Sequence, residues 1–247
     1  MSFHVIIPTR FGSTRFPGKF LKPLNGEPVI GHVYRHACES GAESVYVATD
    51  DTRIKDYIVS LGGRALMTSE HHQSGSDRIA EACDMLGFDD ETIVVNCQGD
   101  EPLLAGEHMR SVALGLAECG TKMATLATPF PSDEDVTNPH LVKVVCNAQS
   151  QALYFSRAPI PFNRDGTAAT SDYHLHIGLY AYRAGFLRQY TKWPACRLEK
   201  QESLEQLRAL WHGEAIHVTV CDDVVAAGID TPEDLLRAER LIQARHI

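Results

Sequence analysis

Several things are scarce in this sequence, and each scarcity removes a class of protein. The seven cysteines (Cys38, Cys83, Cys97, Cys119, Cys146, Cys196 and Cys221) are scattered and odd in number, and no Cys-x-x-Cys pair occurs. That speaks against a disulfide framework or a zinc knuckle and fits a reducing compartment. Positive charge is in deficit: 23 Lys and Arg stand against 32 Asp and Glu, a formal net charge of −9. A nucleic-acid partner held by bulk electrostatics is therefore not expected, and any phosphate chemistry must use a local basic cluster. No apolar run approaches the roughly 20 residues of a membrane span. The start, Met-Ser-Phe-His-Val-Ile-Ile-Pro, shows no charged-then-apolar leader. No membrane partner is expected, and a cytoplasmic location is. Internal repeats, heptads and low-complexity tracts are also missing. Only two tryptophans occur, Trp193 and Trp211, read as core or dimer contacts.

What is present is enough apolar material, 44% of 247 residues, to bury a sizeable core without staples. In the first half, short apolar runs (5–7, 45–48, 65–67, 93–95 and 124–127) alternate with amphipathic stretches (29–40, 52–61, 76–86 and 107–117). Pro28 suits a first helical turn, and Gly41 and Gly62 suit helix ends. Such alternation predicts an α/β fold, a mostly parallel, doubly wound sheet with its site at the carboxyl ends of the strands. Beyond about residue 130 the runs at 142–146, 153–156, 177–182 and 216–220 read as strands with fewer crossover helices, a mixed-sheet extension. The stretch 159–171 reads as a loop. The last helix starts near Pro232, with Asp230 and Glu233 spaced as a capping box.

The segment after the first strand, Arg10-Phe-Gly-Ser-Thr-Arg-Phe-Pro-Gly-Lys19, carries three cations, two glycines and two hydroxyls. Glycines let backbone approach a ligand, and the cations and hydroxyls suit a dense anion; a solvated basic loop is the plainer reading. It is not a Walker A loop, because five residues separate Gly12 from Gly18 and Phe20 stands where Ser or Thr would hold a cation. Nor is it Gly-x-Gly-x-x-Gly. In Gln98-Gly-Asp-Glu-Pro102 an apolar strand delivers carboxylates to the sheet edge, and Asp100 reads either as a ligand for hard Mg2+ or as an ordinary turn residue. Asp230 reads as a helix cap. His71 and His72 are adjacent in an extended loop, with no third ligand spaced for zinc. Ser76 or Asp77 suits the cap of the following helix, and Arg78 suits either a ligand contact or an ion pair on the helix face. His176 and Tyr180, four apart in a strand, share a face. Glu205 and Gln206 are adjacent on an expected helix, so one of them is expected only at the rim.

The loop 10–19 resembles the signature loop of the sugar-acid cytidylyltransferases. Further matching motifs are His72-Gln-Ser-Gly-Ser-Asp-Arg78, Asn96-Cys-Gln-Gly-Asp-Glu-Pro102, Tyr154-Phe-Ser-Arg-Ala158, His176-Ile-Gly-Leu-Tyr-Ala-Tyr182, Leu204-Glu-Gln-Leu-Arg208 and Gly228-Ile-Asp-Thr-Pro-Glu-Asp234. Together they resemble the CMP-Kdo synthetase branch rather than the sialic-acid branch. Two departures are mild: Thr9 stands where the family usually has Ala, and Phe16 where it usually has Leu. The loop 161–174 is short for the family.

The resemblance implies a nucleotide-diphospho-sugar transferase-like fold in one domain. Residues 1–130 would be the nucleotide-binding core, 131–230 a sugar-binding and dimerising extension, and 231–247 a helix packing back. It implies CMP transfer from CTP to the anomeric hydroxyl of 3-deoxy-D-manno-octulosonate (Kdo), with Mg2+, in a homodimer, activating Kdo for lipopolysaccharide synthesis. Arg10, Ser13, Thr14, Arg15, Lys19, Ser74, Gly75 and Arg78 would bind CTP, and Arg10, Lys19 and Asp100 would be catalytic. Gln98, Arg157, His176, Tyr180, Glu205 and Gln206 would bind the sugar, with Arg157 suited to its carboxylate by a bidentate fork. Asp100 and Asp230 would hold the metal. Sialic acid or an amino-substituted Kdo is the alternative substrate. A catalytically inert nucleotide- or sugar-binding module is the alternative class, against which the intact Lys19, Asp100 and Asp230 speak.

Overall fold

The computed structural model describes residues 1–12, 16–131, 135–222 and 228–245. Along the chain run β1 (His4–Thr9), β2 (Pro23–Leu24), β3 (Glu27–Pro28), α1 (Val29–Glu39), β4 (Ser44–Thr49), α2 (Thr52–Ser60), β5 (Arg64–Met67), α3 (Gly75–Met85) and β6 (Ile93–Asn96). There follow α4 (Gly106–Cys119), β7 (Met123–Pro129), β8 (Lys143–Cys146), β9 (Ala152–Ser156), β10 (His174–Arg183), α5 (Ala184–Tyr190), α6 (Arg197–Glu202), α7 (Leu207–Trp211), β11 (Ile216–Val220) and α8 (Pro232–Arg245). The apolar runs expected as strands are strands, and the amphipathic stretches are α1 to α4. The β2–β3 hairpin and the short helices α5 and α6 carry too few residues to show a period and were not foreseen; the helix expected around Glu205 and Gln206 is α7, which begins just after them.

The main sheet has the order β11-β7-β10-β6-β1-β4-β5, with β8 and β9 attached through β10. β1 pairs in parallel with both β4 and β6. β10 lies antiparallel between β6 and β7, which makes the sheet mixed. The chain moves outward from β1 through β4 to β5, then returns to β6 on the other side of β1. That reversal opens a crevice beyond the carboxyl ends of β1 and β6.

Side-chain alternation explains the two-layer core. Val5 and Ile7 of β1 face a cluster with Val33, Ile54, Met109 and Leu116, while Ile6 faces the opposite cluster with Ile79, Cys83, Leu187 and Leu207. A strand covered on both faces needs no polar side, hence the unbroken apolar run. In α1, Val29, Ile30, Val33 and Ala37 form the buried stripe. The chain then turns at Gly41, whose φ of 78° is the left-handed region that favours glycine.

The start of α8 differs from the sequence reading. Thr231, not Asp230, is the cap: Asp234 N–H donates to Thr231 Oγ1 at 3.2 Å and Thr231 N–H donates to Asp234 Oδ2 at 2.9 Å. Pro232 then takes the first helical position, where its missing N–H costs nothing. Asp230 lies one residue outside, its side chain aimed elsewhere. Thr231→Ala should therefore lower stability by about 1 kcal/mol. A thermal melt checks this, and an unchanged midpoint would return the cap to Asp230.

Candidate active site

Three segments converge on the crevice. The first leaves β1: Arg10 is exposed, and Phe11 N–H donates to Asp50 Oδ1 at 3.2 Å. The Phe11 ring lies 3.5 Å below the Arg53 guanidinium. Ser13, Thr14 and Arg15 lie outside the described residues. The segment returns through Gly18 (φ 68°), after which Lys19 turns inward and is only 6% exposed. Its Nζ donates to Asp100 Oδ2 at 2.5 Å, Asp230 Oδ1 at 3.0 Å and Ile229 O at 3.1 Å. Burial works against the charged ammonium, but Asp100 and Asp230 outweigh it, and the Lys19 pKa is raised.

The second segment leaves β6. Gln98 Nε2 donates to buried Asn96 Oδ1 at 3.1 Å. Gly99 is required by close approach, since a Cβ there would stand 2.5 Å from Thr9 Cγ2. Asp100 follows, then Glu101, whose carboxyl is pushed up to about 8 by burial and by the Asp100 and Asp230 charges. Burial in this corner thus favours the neutral form of Glu101.

The third segment opens α3. Its cap is Ser74, not Ser76 or Asp77 as the sequence reading had it. Asp77 N–H donates to Ser74 Oγ and Ser74 N–H donates to Asp77 Oδ2, both at 3.1 Å, so Asp77 completes the box from the third helical position. Gly75 keeps the crevice open: a Cβ there would sit 3.3 Å from Pro8 Cγ. Arg78 is 3% exposed and already partnered, donating to Asp50 Oδ2 at 2.8 Å, Thr68 Oγ1 at 2.5 Å and Ser69 O at 3.3 Å. Of its two sequence readings the ion pair is realised, with Asp50 of the β4 edge rather than along the helix. His72 Nε2 lies 2.5 Å from Glu81 Oε2.

Arg10, Lys19, Ser74 and Gly75 together with Arg78, Gln98, Asp100 and Asp230 thus line one cleft of about 400 Å³. Among the described residues no three His, Cys, Asp or Glu side chains form a metal cluster. The fit to Mg2+ rests on two carboxylates and a carbonyl converging on one ammonium. That is an all-oxygen set suited to a hard cation which draws its other ligands from phosphate and water.

The remaining sequence-derived residues lie elsewhere. His176 and Tyr180 do share a face of β10, with ring centroids 5.5 Å apart, although a bulge between Ile177 and Tyr180 interrupts the ladder. The hydroxyl of Thr125 lies 3.0 Å from His176 Nε2, and burial pushes the imidazole down to about 3, so it is neutral. Glu205 and Gln206 precede α7 rather than sharing it, Gln206 being its cap residue. Neither is merely at a rim: Glu205 Oε1 and Gln206 Nε2 are buried with no hydrogen-bond partner among the described residues. Burial also raises the Glu205 carboxyl, against the Ser76 hydroxyl and the Arg208 guanidinium. Unpaired buried polar atoms are costly and mark where a polar ligand can bind.

Arg157 presents no free fork. It donates to the carbonyls of Glu202 at 2.6 Å, Pro139 at 2.8 Å and Ser203 at 3.3 Å, tying the end of β9 to the end of α6 and to the stretch before β8. None of these five residues lines the 400 Å³ cleft. Of the five, Tyr180 connects to it through Asn96, which accepts from Gln98 and pairs with Tyr180 across the β6–β10 ladder.

Asp50 was missed. It accepts from both the basic segment (Phe11) and α3 (Arg78), joining two walls of the cleft. Its signal, an Asp directly after an apolar strand, is the one that singled out Asp100.

A family model described as Cytidylyltransferase matches residues 4–216. The 3-deoxy-manno-octulosonate cytidylyltransferase of Idiomarina loihiensis is 51% identical, with 98% of each chain covered. The protein of the same name from Coxiella burnetii is 49% identical, covering 96% of this chain and 98% of that one. A solved structure of CMP:2-keto-3-deoxy-manno-octonic acid synthetase complexed with CTP superposes with a TM-score of 0.91 at 37% identity, covering 100% of both chains.

Proposed function

Because this chain belongs to the cytidylyltransferase family, we infer that it transfers CMP from CTP to the anomeric hydroxyl of Kdo, releasing pyrophosphate. The observation that carries the reading onto these residues is the shared cleft, where a basic segment, a capped helix start and a carboxylate pair meet at the switch point of the sheet. An in-line displacement at phosphorus asks the protein for positioning and charge compensation rather than for a nucleophile.

In this reading Arg10 and Lys19 face the triphosphate, joined by Ser13, Thr14 and Arg15 of the same segment. Ser74 and Gly75 lie against the cytidine end, and the partnered Arg78 serves there as a rigid wall. Asp100 and Asp230 would hold Mg2+, which when bound would supply positive charge beside the phosphates. Gln98 bridges to the sugar acid. Glu205 and Gln206 offer their unpaired oxygen and nitrogen to its hydroxyls, beside neutral His176 and Tyr180. Arg157, half-buried and with its Nη atoms toward solvent, meets the carboxylate by exchanging its bonds to Pro139 and Ser203.

We further propose a cytoplasmic homodimer serving lipopolysaccharide synthesis. No described helix is long and apolar enough to cross a membrane. Trp211 is 54% exposed, as a dimer contact would be, whereas Trp193 is partly buried against the core and stacked on His212.

The test is pyrophosphate release from CTP against Kdo, 8-amino-Kdo and sialic acid. Release should require both CTP and a sugar acid and be strong with Kdo but weak with sialic acid. Equal rates with sialic acid would overturn the choice of Kdo.

A further inference from the structure

Lys19 holds the same two carboxylates that are read above as the cation site. Its ammonium has three N–H donors, and the three acceptors around it are Asp100 Oδ2, Asp230 Oδ1 and Ile229 O, all within 3.1 Å. Mg2+ binds oxygen at about 2.0–2.1 Å. Nζ occupies the point where Asp100 Oδ2 and Asp230 Oδ1 converge, so a cation drawing on those two oxygens competes with the ammonium. A free divalent cation that takes those two oxygens must therefore displace a buried ammonium from Asp100 and Asp230, the two carboxylates it bonds among the described residues. A triphosphate in the adjoining cleft changes this, because its oxygens give the ammonium new acceptors on the far side of a flexible four-carbon stem.

We propose that Lys19 is a built-in counter-ion that makes the Asp100–Asp230 corner selective for a divalent cation arriving with the nucleotide over the free cation. The inference rests on the reading of those two aspartates as the cation site. Lys19 leaves them only when phosphate receives it, so nucleotide and cation bind with positive coupling. The site then stays closed to adventitious metal, with its carboxylates compensated, until substrate arrives. The same ammonium serves the aspartates first and the triphosphate second.

The probe is Mn2+, followed by the loss of its free electron-spin-resonance signal on titration into the full chain. Without nucleotide, wild type should bind Mn2+ at least about tenfold more weakly than Lys19→Met, within the usual span of coupling between sites. Adding Asp100→Asn to Lys19→Met should abolish the gain. With a non-hydrolysable CTP analogue, wild type should bind Mn2+ beyond what the analogue alone holds. Thermal melts guard against a poorly folded variant: Mn2+ should raise the midpoint of Lys19→Met, and of Lys19→Ala, but not that of nucleotide-free wild type. Equal Mn2+ affinity in wild type and both variants would overturn the role of Lys19 while leaving the aspartates as ligands. No binding in any form, the analogue complex included, would overturn the cation site itself and the inference with it.

Discussion

Asp100→Asn should cut CMP transfer by about a hundredfold or more at ordinary Mg2+, equivalent to roughly 3 kcal/mol at the barrier. Hard cations favour carboxylate over amide oxygen, and the variant removes one of only two charged ligands. The fold should tolerate the change. The amide oxygen still accepts from Lys19 where Asp100 Oδ2 does at 2.5 Å, and Asp230 keeps a charge 3.0 Å from the ammonium. Asp230→Asn should act in the same direction with an even smaller effect on stability, since its side chain is 46% exposed and Thr231 does the capping. Turnover measured against Mg2+ concentration, beside a thermal melt of each variant, separates the roles. Either variant fully active at low Mg2+ would remove that aspartate from the cation site.

The second large effect is expected at Asp50. Asp50→Ala strands the Arg78 guanidinium, 3% exposed, without its carboxylate. Breaking a buried pair from one side costs about 3–5 kcal/mol, so the melting midpoint should fall by roughly 6–20 °C for a chain of this length. Phe11 N–H loses its acceptor at the same stroke, and the basic segment loses its tie to α3, so the KM for CTP should rise more than the KM for Kdo. The double variant Asp50→Leu/Arg78→Met removes both charges together, which buried pairs tolerate far better. It should regain much of the stability and none of the CTP affinity. A single Asp50→Ala variant melting within about 2 °C of wild type would show the pair to be inconsequential for the fold. An unchanged KM for CTP would show the same for the site.

By itself the sequence determined the elements and the chemistry of the loops. Period-two and helical patterns are written within about ten neighbouring residues, so β1, β4, β6 and α1 to α4 were legible, as were the polar residues released at the ends of strands. The motifs of the loop 10–19, of 96–102 and of 228–234 were legible too, because each is contiguous.

Partnership was not legible. Lys19 meets Asp100 across 81 residues and Asp230 across 211, and only the order of the sheet, β6 returning beside β1, brings them to one corner. Asp50 and Arg78 are joined in the same way, across 28 residues. Where several polar side chains compete for one local role, the surrounding structure chose among them. Thr231 caps α8 while Asp230 turns to Lys19, and Ser74 caps α3 with Asp77 as its box partner. Arg157, typed as a carboxylate fork, answers three carbonyls that the end of α6 and the stretch before β8 present to it. Local patterns encode which groups a segment offers; which partner each group receives depends on distances set by strand order and burial, and no stretch of ten residues contains those.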